Sequence, residues 1–413
     1  MVSTVIAEES EDDRLQLHHP RIPVIAYPWE WTRGQWLAAA ELTLTLCDKA
    51  LNDGWILKDA TPLNILFTGT RPVLVDVLSF EKHAPGTSIW LAYGQYVRTF
   101  LLPMLMSRLL HWPLALTLFR RDGYEPAELY AALGWSLRLS PAAFFPITLP
   151  TVLERRNNGV PAKSVRASDK EPDLALHLLR RTLSGLRHRT RKALGKQTRS
   201  EWSDYTATLT HYTDEESREK AAFVREALEK LKPTRVLDIG ANTGEFSAMA
   251  ATQGASVVAL ERDEAAAERL FQRACAQQLD ILAIHADLAR PTPAVGWDNS
   301  ESTSLIARLE GQFDLVLMLA VIHHLLLMEQ IPIDVIVALL QRLTNRYLLV
   351  EWVPASDPMF LSLMRGRDDL YGSLREEDLL HACQGYFTLL RRQPLDNGRV
   401  LMLLEKQAAG ARA

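Results

Sequence analysis

One short stretch, residues 235–246 with the sequence RVLDIGANTGEF, limits the possible fold more than any other part of the chain. Apolar residues and Asp238 precede Gly240 and Gly244, a pattern that predicts a buried strand turning sharply into a helix. Glycine lacks a Cβ and tolerates positive φ, so such a turn lets the backbone approach a ligand. The next apolar run ends at Glu261, at the spacing where a βαβ unit places a carboxylate on ribose hydroxyls. The segment therefore predicts a nucleoside site in an α/β domain.

The glycine turn differs from the dinucleotide motif, G-x-G-x-x-G, in which the second glycine makes room for a pyrophosphate. Asn242 occupies that position, so a nicotinamide dinucleotide fits poorly. The turn resembles the first motif of class I S-adenosylmethionine-dependent methyltransferases. Further strands are expected in that family's order at 281–284, 313–318, 347–350 and 400–405. The resemblance implies an α/β, Rossmann-like domain with a mostly parallel sheet and an antiparallel last strand, preceded by a mainly helical N-terminal domain.

The resemblance also implies S-adenosylmethionine as the cofactor and a set of residues that bind it. Gly240, Asn242 and Gly244 are expected around the methionine portion, and Asp238 is expected to brace their loop. Glu261 is expected to accept the ribose hydroxyls. The other members of the implied set are Asp287 and Leu288 at the adenine edge, and Leu319 and Ala320 near the transferred methyl group.

Two adjacent histidines, His323 and His324, follow the expected fourth strand and are the candidate catalytic residues. If the acceptor is a hydroxyl, histidine has a suitable pKa to take its proton. In the alternative interpretation His324 caps the following helix or packs against Trp352. Glu351 and Asp357 follow the fifth strand and could orient an acceptor, or bind a metal if the acceptor is a catechol. No compact metal motif is visible, so no metal is expected.

A second resemblance lies in the first domain, in residues 54–80. Asp59 and Asn64 have the D-x-x-x-x-N spacing of the kinase catalytic loop, and Asp76 follows an apolar strand, where the kinase metal-binding acid would stand. The chain before Asp59 is too short for a complete nucleotide-holding lobe, and no Gly-rich loop is present. A structural remnant or a substrate-cradling surface is therefore expected rather than phosphoryl transfer. In a simpler interpretation Asp59 and Asn64 only brace a turn.

The whole chain is similar to a bacterial group that includes host-specific nodulation proteins. The shared features are the LKDA segment around Asp59, the W-x-x-Y-x-Q segment from Trp90 to Gln95, the double histidine, and the segment EWVPASDP at 351–358. This similarity implies the reaction class and leaves the acceptor open.

Composition narrows the class of protein further. The chain has 413 residues and a net charge of −4, which gives no overall nucleic-acid footprint, so no nucleic-acid partner is expected. Cys47, Cys275 and Cys383 are isolated, which argues against disulfides and favours a cytoplasmic protein. No signal peptide is recognisable. The apolar segment 100–119 contains Arg108, so we expect a buried helical pair; a lipid-facing or substrate-facing surface is the alternative, and a membrane span is not expected.

We expect five segments along the chain. They are a flexible N-terminus at 1–20, a mainly helical domain at 21–153, a basic connector at 154–200, the methyltransferase domain at 201–407 and a tail at 408–413. The connector is either a solvated helix with a charged face or a patch for an anionic partner. The sequence does not define the oligomeric state.

The function expected from these features is methyl transfer to a small-molecule or glycoside-like acceptor, with oxygen as the favoured target atom. Methylation of a protein or RNA is an alternative that the basic connector would favour. A further alternative, from another class, is a non-catalytic module that binds the cofactor or assembles with partners.

Overall fold

A computed structural model describes residues 1–6, 16–156, 171–195, 214–364 and 371–408. The chain divides into two compact units, the first made of residues 1–22 and 26–197, and the second of residues 23–25 and 198–413. Several expectations fall at least partly outside the described residues. These are residues 7–15 of the predicted flexible N-terminus, part of the connector, the start of the methyltransferase domain at 201–213, and the tail beyond residue 408.

The first unit is mainly helical, as predicted, and also contains short antiparallel strand pairs. Its strands are β1 (Val5–Ile6), β2 (Leu17–His18), β3 (Trp55–Leu57), β4 (Ile65–Thr68), β5 (Arg71–Leu74) and β6 (Phe80–Lys82). They pair as β1 with β2, β3 with β6, and β4 with β5. Its α-helices are α1 (Arg33–Ala50), α2 (Tyr93–Tyr96), α3 (Leu102–Leu110), α4 (Pro126–Ala132), α5 (Trp135–Arg138), α6 (Pro141–Ala143), α7 (Leu149–Arg156) and α8 (Pro172–Ala193). Two π-helical segments, Val97–Leu101 and Phe144–Thr148, lead into α3 and α7.

Helix α1 forms the centre of the first unit. Thr32 starts the helix through a reciprocal cap, because its hydroxyl accepts from the Gln35 amide at 3.3 Å while the Gln35 side chain accepts from the Thr32 amide at 2.8 Å. The helix ends just before Gly54, which has a φ of +73°. Trp36 and Leu44 on its apolar face are fully buried.

The basic segment expected to be a connector contains a core helix of the first unit. Helix α8 packs on α1 and buries Leu179, Leu183 and Leu186. Their spacing of three to four residues is that of an apolar helix face, which places the arginines on the other sides. One of these, Arg191, pairs with Glu41 of α1. The described part of the connector is therefore an amphipathic helix that belongs to the first unit.

The long apolar segment 100–119 is also part of this core. Phe100, Leu101 and Leu102 are buried, α3 ends at Leu110, and a 3₁₀ segment follows at Leu114–Phe119. Within the described parts of the chain, no helix is both long and apolar enough to cross a membrane.

The second unit alternates strands and helices. Its strands are β7 (Arg235–Ile239), β8 (Ser256–Glu261), β9 (Ile281–His285), β10 (Phe313–Met318), β11 (Thr344–Trp352), β12 (Phe387–Pro394) and β13 (Val400–Lys406). Its α-helices are α9 (Asp214–Leu231), α10 (Glu245–Thr252), α11 (Glu264–Ala276), α12 (Leu305–Leu309), α13 (Ile322–Leu327), α14 (Ile333–Leu343), α15 (Pro358–Met364) and α16 (Glu376–Cys383).

The strands form one sheet in the order β12-β13-β11-β10-β7-β8-β9. Strands β7 to β11 run parallel, while β13 is antiparallel to both β11 and β12. This confirms the predicted mostly parallel sheet with its antiparallel end. The chain order reverses at β7, which lies between β8 and β10. Open α/β sheets bind ligands at the carboxyl ends of strands beside such a reversal.

Candidate cofactor and active site

A cavity of about 260 Å³ lies at the carboxyl ends of β7, β8, β9 and β10. Eight of the nine residues implied as cofactor-binding line it. They are Asp238, Gly240, Asn242, Glu261, Asp287, Leu288, Leu319 and Ala320. The sequence motifs, which lie far apart along the chain, therefore converge on one hollow, because parallel strands bring their carboxyl ends to the same edge of the sheet.

Gly244 is the exception, because it does not line the cavity. It precedes α10 with a φ of +78°, and a Cβ there would lie 2.8 Å from Cγ of Leu270 on α11. Gly240 does line the cavity and has a φ of +71°, and a Cβ there would lie 2.4 Å from Cγ2 of Val321. Both glycines are thus required by conformation and by close neighbours.

Glu261 links the end of β8 to the glycine turn. Its Oε2 accepts from the amide of Asn242 at 2.7 Å, and its Oε1 accepts from the amide of Asp263 at 2.7 Å. Burial raises the pKa of Glu261, and the two amide hydrogen bonds oppose that rise. Since a carboxylate oxygen has more than one acceptor site, Glu261 retains the capacity to accept hydroxyl protons from a ligand.

Asp238, near the end of β7, is hydrogen-bonded to helix α10. Its Oδ2 accepts from the hydroxyl of Ser247 at 2.6 Å. Burial raises the pKa of Asp238 to about 6, while the bond from Ser247 and the charge of Lys220 lower it. A positively charged ligand in the cavity would favour the ionised form of Asp238 further.

Two backbone and side-chain features of the lining indicate a ligand. Oδ1 of Asn242 is buried without a hydrogen-bond partner, and the residue has a φ of +49°. Ala320, between β10 and α13, has a φ of +56°. A buried acceptor without a donor and strained non-glycine residues are both costly, and both are concentrated at binding sites.

The two candidate histidines occupy different environments. His324 lines the cavity, whereas His323 does not line it and is 2% exposed with neither ring nitrogen hydrogen-bonded. The ring centroids lie 4.2 Å apart. Burial, with the nearby charges of Arg262 and Arg399, lowers the pKa of His324 to about 4. Burial also lowers the pKa of His323, so both rings are neutral at pH 7.

Several charged residues of the cavity wall were not predicted from the sequence, namely Lys220, Glu245, Arg262, Asp263 and Glu329. Lys220 of α9 lines the cavity, and its Nζ lies 2.6 Å from Oε2 of Glu351. No local pattern marks it, because Lys220 sits on an ordinary amphipathic helix before the glycine turn. Glu351 is fully buried and Asp357 is 3% exposed, so neither carboxylate faces an open acceptor site. In the described part of the chain, no three metal-ligating side chains of the His, Cys, Asp or Glu type come together.

In the first unit, the kinase-like residues form a closed hydrogen-bonded loop. The Ser79 hydroxyl donates to Oδ2 of Asp76 at 2.7 Å, and Nδ2 of Asn64 donates to the Ser79 hydroxyl at 3.0 Å. Oδ1 of Asp76 accepts from the Leu78 amide at 3.0 Å and starts the 3₁₀ turn at 77–79. Asp59 is half-buried in the preceding loop. These contacts match the simpler interpretation, in which the polar residues brace a turn.

Comparison with known sequences gives the class of the second unit. The family described as a methyltransferase domain matches residues 209–377. The second unit, with this match, its sheet order and its cavity, is a class I methyltransferase domain that depends on S-adenosylmethionine. Over a longer span, the chain is similar to the nodulation protein NoeA of Rhizobium meliloti (strain 1021). The two are 29% identical over 382 residues, which cover 87% of this chain and 75% of that protein.

Solved structures include similar chains. One is the bifunctional kinase-methyltransferase WbdD, at 20% identity and a TM-score of 0.35, with 47% of this chain and 40% of that chain covered. This chain therefore spans less than half the length of WbdD. Another is the N-methyltransferase NodS from Bradyrhizobium japonicum WM9, at 16% identity and a TM-score of 0.36, with 47% of this chain and 98% of that chain covered.

Proposed function

We propose that this chain transfers a methyl group from S-adenosylmethionine to an oxygen atom of a small-molecule or glycoside-like acceptor. The observation that carries the proposal is the neutral His324 on the wall of the cofactor cavity, just after Leu319 and Ala320. A neutral imidazole can take the proton that a hydroxyl must lose when it is methylated. We also propose that the protein is cytoplasmic and has no nucleic-acid partner, as predicted from the sequence.

In this proposal, different residues of the cavity bind different parts of the cofactor. Glu261 accepts the ribose hydroxyls, and Asp287 with the Leu288 amide binds the adenine edge. The unfilled Oδ1 of Asn242 accepts from the amino group of the methionine portion. The bound cofactor supplies an electrophilic methyl group on a sulfonium sulfur. The protein's contribution is to align the acceptor with it and to exclude water, which lowers the barrier by pre-organisation.

His324, rather than His323, is the proposed base because only His324 of the pair lines the cavity. With a pKa of about 4 it is ready to accept a proton at neutral pH, yet it is a weak base. A weak base transfers protons efficiently only from a comparatively acidic group. Among small-molecule acceptors, the proposal therefore favours those with an acidified hydroxyl, such as a phenol or an enol. His323 packs against His324 and helps to fix its ring.

The name of the relative NoeA refers to nodulation, which is a process rather than a chemical acceptor. The acceptor class is argued from the site alone. We do not favour methylation of a protein or RNA, which would require a wide, exposed approach to His324. The strongly basic helix α8, the feature that would favour such an acceptor, belongs to the first unit rather than to the unit with the cofactor cavity.

The proposal is tested with the purified full chain. S-adenosylmethionine should raise its melting temperature, since a ligand that binds only the folded state stabilises it, while NADH should leave the melting temperature unchanged. Methyl-labelled cofactor incubated with a cell extract should then place label in the small-molecule fraction, on oxygen as identified by mass spectrometry of the product. The Glu261→Ala variant, which should bind the cofactor weakly, serves as the negative control.

Label in the protein or RNA fraction would show that the acceptor is a macromolecule rather than a small molecule. Stabilisation without any labelled product in extracts of the source bacterium would instead support a non-catalytic binding module.

A further inference from the structure

A buried chain of alternating charges runs through the second unit beneath the cofactor cavity. Nζ of Lys220 lies 2.6 Å from Oε2 of Glu351, and Oε1 of Glu351 lies 3.4 Å from Nη1 of Arg399. Nε of Arg399 lies 2.8 Å from Oδ2 of Asp357. All four residues are less than 9% exposed. The chain joins α9, the end of β11, the turn before β13, and the start of α15, where Oδ1 of Asp357 accepts from the Met359 amide at 2.8 Å.

Such a chain is poorly explained by stability alone. Removing charges from water is costly, and an apolar cluster of similar volume usually stabilises a fold as well or better. A buried ion pair does, however, fix the position and direction of its charged groups, because each must face its partner. Lys220 stands at one end of this row of ion pairs, and its fixed position indicates what the row is for.

Lys220 reaches the cavity from the side opposite the nucleoside residues. The sheet order around the cavity is β11-β10-β7-β8-β9. Lys220 binds Glu351 at the end of β11, whereas Glu261 ends β8 and Asp287 follows β9. Its ammonium group also lies 5.3 Å from the ring centroid of Phe246, beside the glycine turn. The cation thus stands at the end of the cavity that the ribose and adenine residues leave open.

This inference rests on the proposed function. We propose that Lys220 binds the carboxylate of the methionine portion of the cofactor, and that Glu351, Arg399 and Asp357 are positioning residues that act through it. The ammonium group of Lys220 donates to Glu351 and lines the cavity, so its positive charge faces a ligand bound there. Lys220 thus gives the cavity wall a buried cation, which matches the carboxylate group of the methionine portion.

The test compares two ligands in calorimetric titrations of the full chain. S-adenosylmethionine contains the amino-acid group, whereas 5′-methylthioadenosine has the same nucleoside and sulfur without it. The Lys220→Met variant keeps the length of the side chain and leaves Glu351 paired with Arg399. It should weaken binding of S-adenosylmethionine by about 10- to 100-fold, the value of a charge-assisted hydrogen bond, and leave 5′-methylthioadenosine affinity unchanged.

The same helix offers a matched control. Glu226 of α9 pairs with Arg391 of β12 at 2.7 Å, and both side chains are well exposed. The Glu226→Gln variant removes an anchor of α9 without touching the cavity. Exposed ion pairs contribute little, so the affinity for both ligands should stay at the wild-type value.

The positioning role of Glu351 is tested by a double-mutant cycle. Glu351→Gln should weaken S-adenosylmethionine binding selectively in the wild-type background, and should have no further selective effect when Lys220 is already methionine. The inference is overturned if Lys220→Met weakens both ligands equally or neither, or if the selective effect of Glu351→Gln persists in its background. If Glu351→Gln fails to fold, the Lys220→Met comparison still decides. If the wild-type chain binds neither ligand, the proposed function itself is wrong.

Discussion

Both units contain an acid that follows an apolar strand, and the two acids have different surroundings. In the first unit Asp76 bonds to the Leu78 amide and the Ser79 hydroxyl, so the loop closes on itself. In the second unit Glu261 also receives two bonds, both from backbone amides, but it faces a cavity beside the unfilled acceptor of Asn242. The comparison teaches that a strand followed by an acid does not by itself identify a ligand site. A cavity with unmet hydrogen-bonding capacity does.

The shared segments of the first unit support the same distinction. Nε1 of Trp90 donates to the carbonyl of Leu57 at 2.7 Å, and the amide of Ala60 donates to the Gln95 side chain at 2.6 Å. The W-x-x-Y-x-Q segment therefore braces the loop that carries Asp59. Two segments that the sequence singled out separately are one structural feature, whose described contacts are all internal to the unit.

The largest difference between the two units is expected when Glu261 is replaced. Glu261→Ala removes the acceptor for the ribose hydroxyls and the brace of the Asn242 amide. We expect S-adenosylmethionine binding to weaken by about 100-fold, as for loss of charge-assisted hydrogen bonds. Titration calorimetry measures the loss, and Asp76→Ala is the parallel control in the other unit. Wild-type affinity in the Glu261→Ala protein would show that the acid is structural in both units.

A smaller effect is expected from the pH dependence of folding. The pKa of His324 is about 4 in the folded chain and has its ordinary value of 6.5 in the unfolded chain. Between these values only the unfolded state binds the proton, so stability falls as the pH drops from 6.5 towards 4. Wild type should lose roughly 2 kcal/mol more than His324→Gln over this range, measured by urea unfolding.

Asp238 has a raised pKa and acts in the opposite direction between its unfolded value of 3.8 and about 6. This contribution is present in wild type and in His324→Gln alike, so it cancels in their difference. The exposed His188 of α8 provides a control exchange in the first unit. Parallel stability curves for wild type and His324→Gln would contradict the assignment of a neutral, buried His324.

The smallest effect is expected in the first unit. Asp76→Ala removes the cap of the 3₁₀ turn and leaves the Ser79 hydroxyl, which is fully buried, without its acceptor. Stability should fall by about 1–2 kcal/mol, and S-adenosylmethionine affinity should not change. Denaturant unfolding and calorimetry measure the two quantities. Stability unchanged, together with lost methyl transfer, would instead assign Asp76 a role in binding or chemistry.

The sequence predicted the second unit well because its signals are local. Buried parallel strands are continuous apolar runs, and each functional acid or turn directly follows one, so strand limits and cavity residues could be read together. Lys220 could not be found this way, since its role depends on Glu351, which lies far along the chain. For Gly244, the motif did not reveal that the neighbour requiring glycine is Leu270 rather than a ligand. Helix α8 was interpreted as a connector because its charges outweighed the spacing of its leucines.

The close approach of Gly240 and Val321 has an evolutionary consequence. A side chain at 240 would collide with Val321, which lies 81 positions later and follows the fourth parallel strand. A larger residue at 240 demands both a smaller one at 321 and tolerance of a left-handed backbone, whereas a smaller residue at 321 needs no change at 240. Among related sequences, a residue other than glycine at 240 should therefore occur only together with a smaller residue at 321.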